Sequence, residues 1–249
     1  MNRRSPVNHE KETGVEISRW TAMVIGVLLI AAMVSGVFSS VPTIEEPDYL
    51  MKLPSIESRV LIAVFFQASM AVIYMAITAI TYPLVKRAYP KAALAYFAFR
   101  TTGGAFLFIG IVTLLLLLAL GRQYLQTDAV DLISIEIIGT LLRHTRDWLN
   151  HIGMILPWSI GGIFLYSSFL KTRLIPGWMA IWGLVATALT LTVTILYMLD
   201  RIKLVTIAYF ALNAPTAFLE LVLAVYLITC GFSKPSASLT GSQRKGNVQ

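Results

Sequence analysis

Residues 92–120 form an apolar run long enough to cross a membrane, yet they contain a charge. A helix needs about 20 residues to span a hydrocarbon core of roughly 30 Å, and this run exceeds that length. Arg100 lies inside it, where insertion scales assign a charged residue a cost of about 2.5–3.5 kcal/mol. We therefore expect Arg100 to face other protein groups or trapped water instead of lipid.

The composition indicates that the whole chain, not only this run, belongs in a membrane. Of its 249 residues, 57% are hydrophobic and 13% are charged, and the mean hydropathy is +0.73. Soluble domains carry about 25% charged residues, and membrane β-barrel strands alternate over about 10 residues, which these runs do not. We predict an all-α integral membrane protein. The single cysteine, Cys230, excludes an intramolecular disulfide and any multi-thiolate metal site.

Six apolar runs predict a bundle of six transmembrane helices, which forms one domain over residues 20–232. The predicted spans are about 20–39, 60–84, 92–120, 147–170, 174–199 and 204–232. Residues 1–19 are predicted to form a polar cytoplasmic tail, and 233–249, rich in Ser and Gly, a disordered one. In the longest loop, helical spacing of apolar residues predicts an amphipathic helix on the outer surface. These residues are Val130, Ile133, Ile137 and Leu141.

The Lys and Arg residues fix the expected orientation. Of the 20, twelve fall in segments on the side of the two termini and seven on the opposite side, and Arg100 is the remaining one. The positive-inside rule therefore places both termini in the cytoplasm. The net charge of +7 indicates topology and attraction to anionic membrane lipids, not a nucleic-acid partner.

Glu220, inside the last apolar run, is the expected opposite charge for Arg100. The helical rise puts Arg100 about 13 Å from Lys91 and Glu220 about 21 Å from Lys234, both at the cytoplasmic edge. Two long side chains can bridge the difference in depth. The pair is either structural, fixing which helices meet, or a site for a ligand. In the second case Arg100 holds an anionic or hydrogen-bond-accepting group, and Glu220 exchanges a proton or neutralises a cation.

Helical spacing brings further small or polar residues to the faces of these two charges. Gly104 lies one turn along from Arg100, and Asn213 and Thr216 share the face of Glu220. The candidate ligand-binding site therefore comprises Arg100, Glu220, Asn213, Thr216 and Gly104.

Two other polar stripes recur at helical spacing, and each is typical of helix–helix contacts or of a cavity lining. One comprises Gln67, Tyr74, Thr78 and Thr81, and the other Thr187, Thr190, Thr194 and Tyr197.

His144, Asp147 and His151 are weak candidates for a metal site. They follow one another at i, i+3 and i+7, and their side chains are of types that bind zinc. Interleaved Arg143, Arg146 and Trp148 favour an ordinary polar helix start at the outer interface. The sequence has no H-E-x-x-H, Walker A, G-x-S-x-G or C-x-x-C motif. We expect no bound metal, no cofactor and no catalytic residue.

Four stretches resemble a known family. They are AYFAFRTTGGAFLFIGIVTLLLLLAL (95–120), RDWLNHIGMILPW (146–158), TRLIPGWMAIWGLVATAL (172–189) and NAPTAFLELVLAVYLITCGF (213–232). Together they are similar to the bacterial membrane family called domain of unknown function 4386. The resemblance implies six helices in a bacterial plasma membrane and implies no activity. Arg100 and Glu220 match polar positions of the family pattern.

Three functional hypotheses follow from the sequence. The first is binding or passage of a small molecule or ion at the polar intramembrane site. The second is a non-catalytic membrane subunit whose buried polar groups serve assembly with a protein partner. The third is a lipid-modifying membrane enzyme, for which the sequence offers neither a nucleophile–base pair nor a metal cluster. We expect that the protein is not an enzyme.

Overall fold

A computed structural model describes residues 19–128, 131–204 and 206–233. The tails and Val130 of the predicted amphipathic helix lie outside these ranges. No described residue belongs to a strand. The helices are α1 (Arg19–Phe38), α2 (Tyr49–Lys52), α3 (Glu57–Lys86), α4 (Pro90–Tyr124), α5 (Leu132–Trp148), α6 (Leu156–Thr172), α7 (Gly177–Met198) and α8 (Ile207–Thr229). Two 3₁₀ helices, Pro42–Glu45 and Leu53–Ile56, flank α2, and a π-helix, Leu149–Ile155, joins α5 to α6.

Six helical segments are long and apolar enough to cross a membrane, which confirms the predicted number. They are α1, α2–α3, α4, α5–α6, α7 and α8. Many large apolar side chains on these helices point outward, as the surface of a protein surrounded by lipid requires. Phe65, for example, is 67% exposed and Leu94 is 62% exposed.

The six long helices form a closed ring. In chain order α1, α3, α4, α6, α7 and α8 each contact the next, and α8 contacts α1. The Arg19 guanidinium donates to the Thr229 carbonyl over 3.3 Å, so the first and last helices meet where one begins and the other ends. We call this the terminal end of the bundle. The opposite end, which carries α2, is the loop end.

The loop end has a small core of its own. The segment between α1 and α3 is folded into the short helices, and its Ile44 and Leu53 are fully buried. They pack with Leu114 and Leu117 near the end of α4 and with Ile135 of α5. The segment between the first two spans is therefore a folded cap on the bundle.

The fourth span differs from its prediction. A helix separate from the span was expected on the outer surface, but α5 continues through the π-helix into α6 as one segment, Leu132–Thr172. The described residues of its predicted apolar face are exposed, with Ile133 at 68%, Ile137 at 57% and Leu141 at 62%. Ile135 and Gly139, on another face of the helix, are buried against protein. Pro157 explains the π-helix, because a proline lacks an N–H and its ring clashes with the carbonyl of residue i−4, here Gly153.

Candidate functional site

A small cavity lies inside the ring of helices. Its volume is about 40 Å³, which has room for a few water molecules or one small ion. Residues from α1, α3, α4, α6 and α8 line it, and Phe232, just after α8, packs on Phe169 and lines it from the terminal end. The polar lining residues are Tyr74, Thr78, Thr81, Tyr96, Arg100, Tyr166 and Glu220. The cavity thus brings together the two intramembrane charges predicted from the sequence.

Arg100 is held by aromatic rings. It lies ten residues after Pro90, so about 15 Å along α4 from the start of that helix, and it is 9% exposed. Its guanidinium carbon is 4.4 Å from the ring centroid of Trp158 and 6.0 Å from that of Tyr96. A cation over a desolvated aromatic face gains about 2 kcal/mol or more. The rings therefore offset part of the cost of burying this charge.

Two glycines of α6 make room for the Arg100 side chain. A Cβ atom on Gly161 would lie 3.0 Å from Cγ of Arg100, and one on Gly162 would lie 3.5 Å from its Nη2. Small residues let membrane helices approach closely. Here the approach of α6 lays the arginine against Trp158 of the same helix.

The Arg100 side chain nevertheless has an unsatisfied donor within the described part of the chain. Its Nε–H is buried and meets no hydrogen-bond acceptor among the described residues. The ion pairs found in residues 19–128, 131–204 and 206–233 involve other residues, so Arg100 and Glu220 line one cavity without direct contact. Guanidinium groups favour planar anions that accept two N–H bonds.

Glu220 is held separately, by α3. The Tyr74 hydroxyl donates to its carboxylate over 2.8 Å. Tyr74 also packs edge-on against Trp158, with ring centroids 4.4 Å apart. One tyrosine therefore contacts both the ring that supports Arg100 and the carboxylate that faces it.

The other three predicted site residues lie outside the cavity lining. Asn213 donates to the Tyr209 carbonyl of its own helix over 3.1 Å. The Thr216 hydroxyl lies 2.8 Å from that of Thr190, between α8 and α7. A Cβ on Gly104 would lie 2.8 Å from the methyl carbon of Met75, so this glycine serves the close approach of α3 and α4.

The weak metal candidates are not gathered into one site. Among the described residues, no group of three or more His, Cys, Asp or Glu side chains could hold a metal ion. His144 is exposed and stacks on Trp148, whereas Asp147 and His151 are buried. Asp147 meets Arg146 at 3.5 Å, and the His151 ring lies 4.4 Å from that of Tyr197.

Sequence reasoning missed the aromatic side chains around Arg100. Tyr74, Thr78 and Thr81 were recognised as a polar stripe, and the cavity lining was one of its two interpretations. Trp158 ends the stretch RDWLNHIGMILPW (146–158), and the sequence alone indicates no role for it. The sequence offers no local signal for this role, because Trp158 reaches Arg100 only through the packing of α6 on Gly103 of α4, whose Cβ would lie 3.2 Å from the Trp158 ring.

The ring of six apolar helices and the charged cavity define a class: a multi-pass α-helical membrane protein with a buried polar site. The chain belongs to the family described as domain of unknown function DUF4386, whose model matches residues 24–231, and the resemblance seen in the sequence is thereby confirmed. No curated protein and no solved structure matches the chain.

Proposed function

We propose that the protein binds a small anion at Arg100 and that binding is coupled to protonation of Glu220. The observation that carries the proposal is a buried guanidinium whose Nε–H has no acceptor in the part of the chain that the structure describes, in a cavity that also holds a carboxylate. A buried charge without an ion-pair partner is costly, and intramembrane charges of this kind mark ligand and ion pathways. The cavity volume of about 40 Å³ limits the ligand to a few heavy atoms.

Electrostatics make the two events depend on each other. An anion beside Arg100 is repelled by an ionised Glu220 lining the same cavity, and the repulsion is strong because burial lowers the local dielectric constant. Protonation of Glu220 removes this repulsion. Anion binding should therefore tighten as the pH falls, and each bound anion should favour uptake of one proton.

We also propose a location in a bacterial plasma membrane with the terminal end of the bundle in the cytoplasm. The excess of Lys and Arg in the segments at that end supports this orientation. The family resemblance supports the location, because it implies a bacterial plasma membrane.

Thermal unfolding of purified protein tests the binding proposal. Sodium formate, nitrate and chloride are compared with sodium gluconate, whose anion is too large for the cavity, at equal ionic strength. At about ten times Kd, a small anion should raise Tm by about 3–6 °C. The shift should be larger at about pH 5 than at about pH 8, because acid protonates the carboxylate.

Glu220→Gln separates this mechanism from a salt effect. The amide imitates the protonated acid, so the variant should keep the anion-dependent shift and lose its pH dependence. Glu136→Gln is the matched control, because Glu136 also accepts from a tyrosine hydroxyl, that of Tyr124, but is exposed. It should behave like the wild type. An equal shift with gluconate, or an unchanged pH dependence in Glu220→Gln, would overturn the proposal.

A further inference from the structure

A second buried polar cluster lies near the loop end, centred on the π-helix. Asp147 and His151 are 6% and 3% exposed, and the Nδ1 atom of His151 has no hydrogen-bond partner among the described residues. The Nε–H of Arg146 is likewise buried without one. The rings of Tyr197 and Tyr209 lie 4.4 and 5.7 Å from that of His151. π-helical turns occur frequently at functional sites.

The two tyrosines are the members nearest the loop end of two polar stripes that face each other. We call these stripes together the α7–α8 seam. Its members are Thr187, Thr190, Thr194 and Tyr197 on α7 and Tyr209, Asn213, Thr216 and Glu220 on α8. Spacings of three and four residues put each set on one helical face. The two faces meet where the Thr190 and Thr216 hydroxyls lie 2.8 Å apart.

The seam ends at the central cavity. Thr187 and Arg100 both lie beside Gly162, whose Cβ position is 3.2 Å from the Thr187 hydroxyl and 3.5 Å from Nη2 of Arg100. Glu220, the last member on α8, lines the cavity itself. From Tyr209 to Glu220 the helix rises about 16 Å. The seam thus runs from the loop-end cluster toward the carboxylate that the proposed function protonates, with a direct side-chain contact between the two stripes at Thr190 and Thr216.

We propose that protons reach Glu220 from the loop end through Asp147, His151 and the hydroxyl groups of the α7–α8 seam. Hydroxyl and imidazole groups can both accept and donate hydrogen bonds, which is what transfer along a chain of such groups requires. A proton taken up at Asp147 is matched by one released from Glu220 into the cavity, so no net charge accumulates in the seam. The proposal rests on the proposed function, since it supplies the proton for Glu220.

Charged and titratable groups surround both ends of this path. Asp147 interacts with Glu45 from the segment after α1 and with Arg143 and Arg146 of its own helix. It also acts on Tyr197 and Tyr209. Near Glu220 the corresponding groups are Arg100, Tyr74 and Tyr166. The carboxylates of Asp147 and Glu220, at the two ends, are therefore the proton-carrying groups that the test addresses.

Proteoliposomes test the path directly. Vesicles in potassium chloride with valinomycin and internal pyranine receive an external acid pulse, and the rate of internal acidification is measured. The wild type should acidify faster than protein-free vesicles, and Asp147→Asn should acidify only at their rate. Thr190→Val with Thr216→Val removes two hydroxyls at nearly constant volume, and the rate should fall about tenfold. Thr192→Val is the control, since Thr192 lies on the same helix as Thr190 but is exposed, and its hydroxyl donates only to the carbonyl of Ala188.

A second variant set covers the case in which Asp147→Asn does not fold. Tyr197→Phe with Tyr209→Phe keeps both rings against His151, removes their hydroxyls, and should also slow acidification. Wild-type acidification no faster than that of protein-free vesicles would overturn the proton path. So would unchanged rates in the tyrosine and threonine double variants. If the wild-type protein fails the acidification test but keeps the anion-dependent Tm shift, the proton path is wrong and the anion site stands. If the Tm shift is absent as well, the anion site is also wrong.

Discussion

Replacing Arg100 with lysine is expected to abolish the anion-dependent rise in Tm. The guanidinium carbon lies 4.4 Å from the ring centroid of Trp158, and the planar group can offer two parallel N–H groups to one anion. A lysine ammonium is a compact, strongly hydrated charge that reproduces neither contact. We expect the apparent affinity for formate or nitrate to fall at least about tenfold, which removes most of the shift at the same salt concentration.

The control for this substitution lies on the same helix. Arg122 is exposed near the end of α4, where it pairs with Glu57. Arg122→Lys should leave the anion-dependent shift as large as in the wild type. A full shift in Arg100→Lys would show that the guanidinium does not hold the anion.

Replacing Gly26 with alanine is expected to destabilise the bundle by about 1–3 kcal/mol, or several degrees in Tm. Gly26 lies where α1 meets α8, the contact that closes the ring. A Cβ there would lie 2.7 Å from the backbone carbonyl oxygen of Ala224, and a backbone atom cannot rotate away. The two helices would have to separate, which opens the wall of the cavity that Ile25 and Leu223 form.

Gly177→Ala is the comparison that isolates packing from helix propensity. Gly177 begins α7, and its Cβ would meet only a methyl carbon of Leu170 at 3.9 Å, an ordinary contact. Alanine favours the helix over glycine by roughly 1 kcal/mol, so this variant should be as stable as the wild type or more stable. Equal melting of the Gly26 and Gly177 variants would contradict the packing argument.

The helices themselves could be predicted from the sequence because membrane length and apolarity are local properties. α1 and α7 begin and end within about three residues of their predicted spans, a margin typical of helix ends. The length of the apolar run did not predict that the fourth span continues from α5 into α6. There the apolar residues Ile133, Ile137 and Leu141 of α5 are exposed, as an outer-surface helix predicts. Another face of the same helix packs on protein through Ile135, and only the fold supplies Leu114 and Leu117 as its partners.

The candidate site was half predictable for a similar reason. A charge inside an apolar run is visible in one dimension, and its cost requires a protein environment, so Arg100 and Glu220 could be chosen. Helical phase identifies which residues share a face, but it does not identify the helix opposite. Helical phase therefore grouped Thr216 with Glu220, whereas in the structure its hydroxyl contacts that of Thr190 on α7.

The aromatic support could not be deduced by the same logic. Three of the tryptophans, Trp20, Trp148 and Trp178, are exposed by more than half, as interfacial anchors are. Nothing in the local sequence separates Trp158 from them except its distance from the helix end. Its contact with Arg100 depends on the glycines Gly161 and Gly162, which take effect only when α6 packs on α4.

The central claim is that Arg100 and Glu220 are retained for a ligand and a proton, not as a structural ion pair. The most direct measurement is a cycle of unfolding free energies for the wild type, Arg100→Gln, Glu220→Gln and the double variant, without added small anions. Functional sites often cost stability, so each single variant should lie within about 1 kcal/mol of the wild type or above it, with a coupling energy below about 1 kcal/mol. If each single change instead costs about 3–5 kcal/mol and the double variant recovers most of it, the residues are a buried structural pair, and the protein is better described as an assembly subunit.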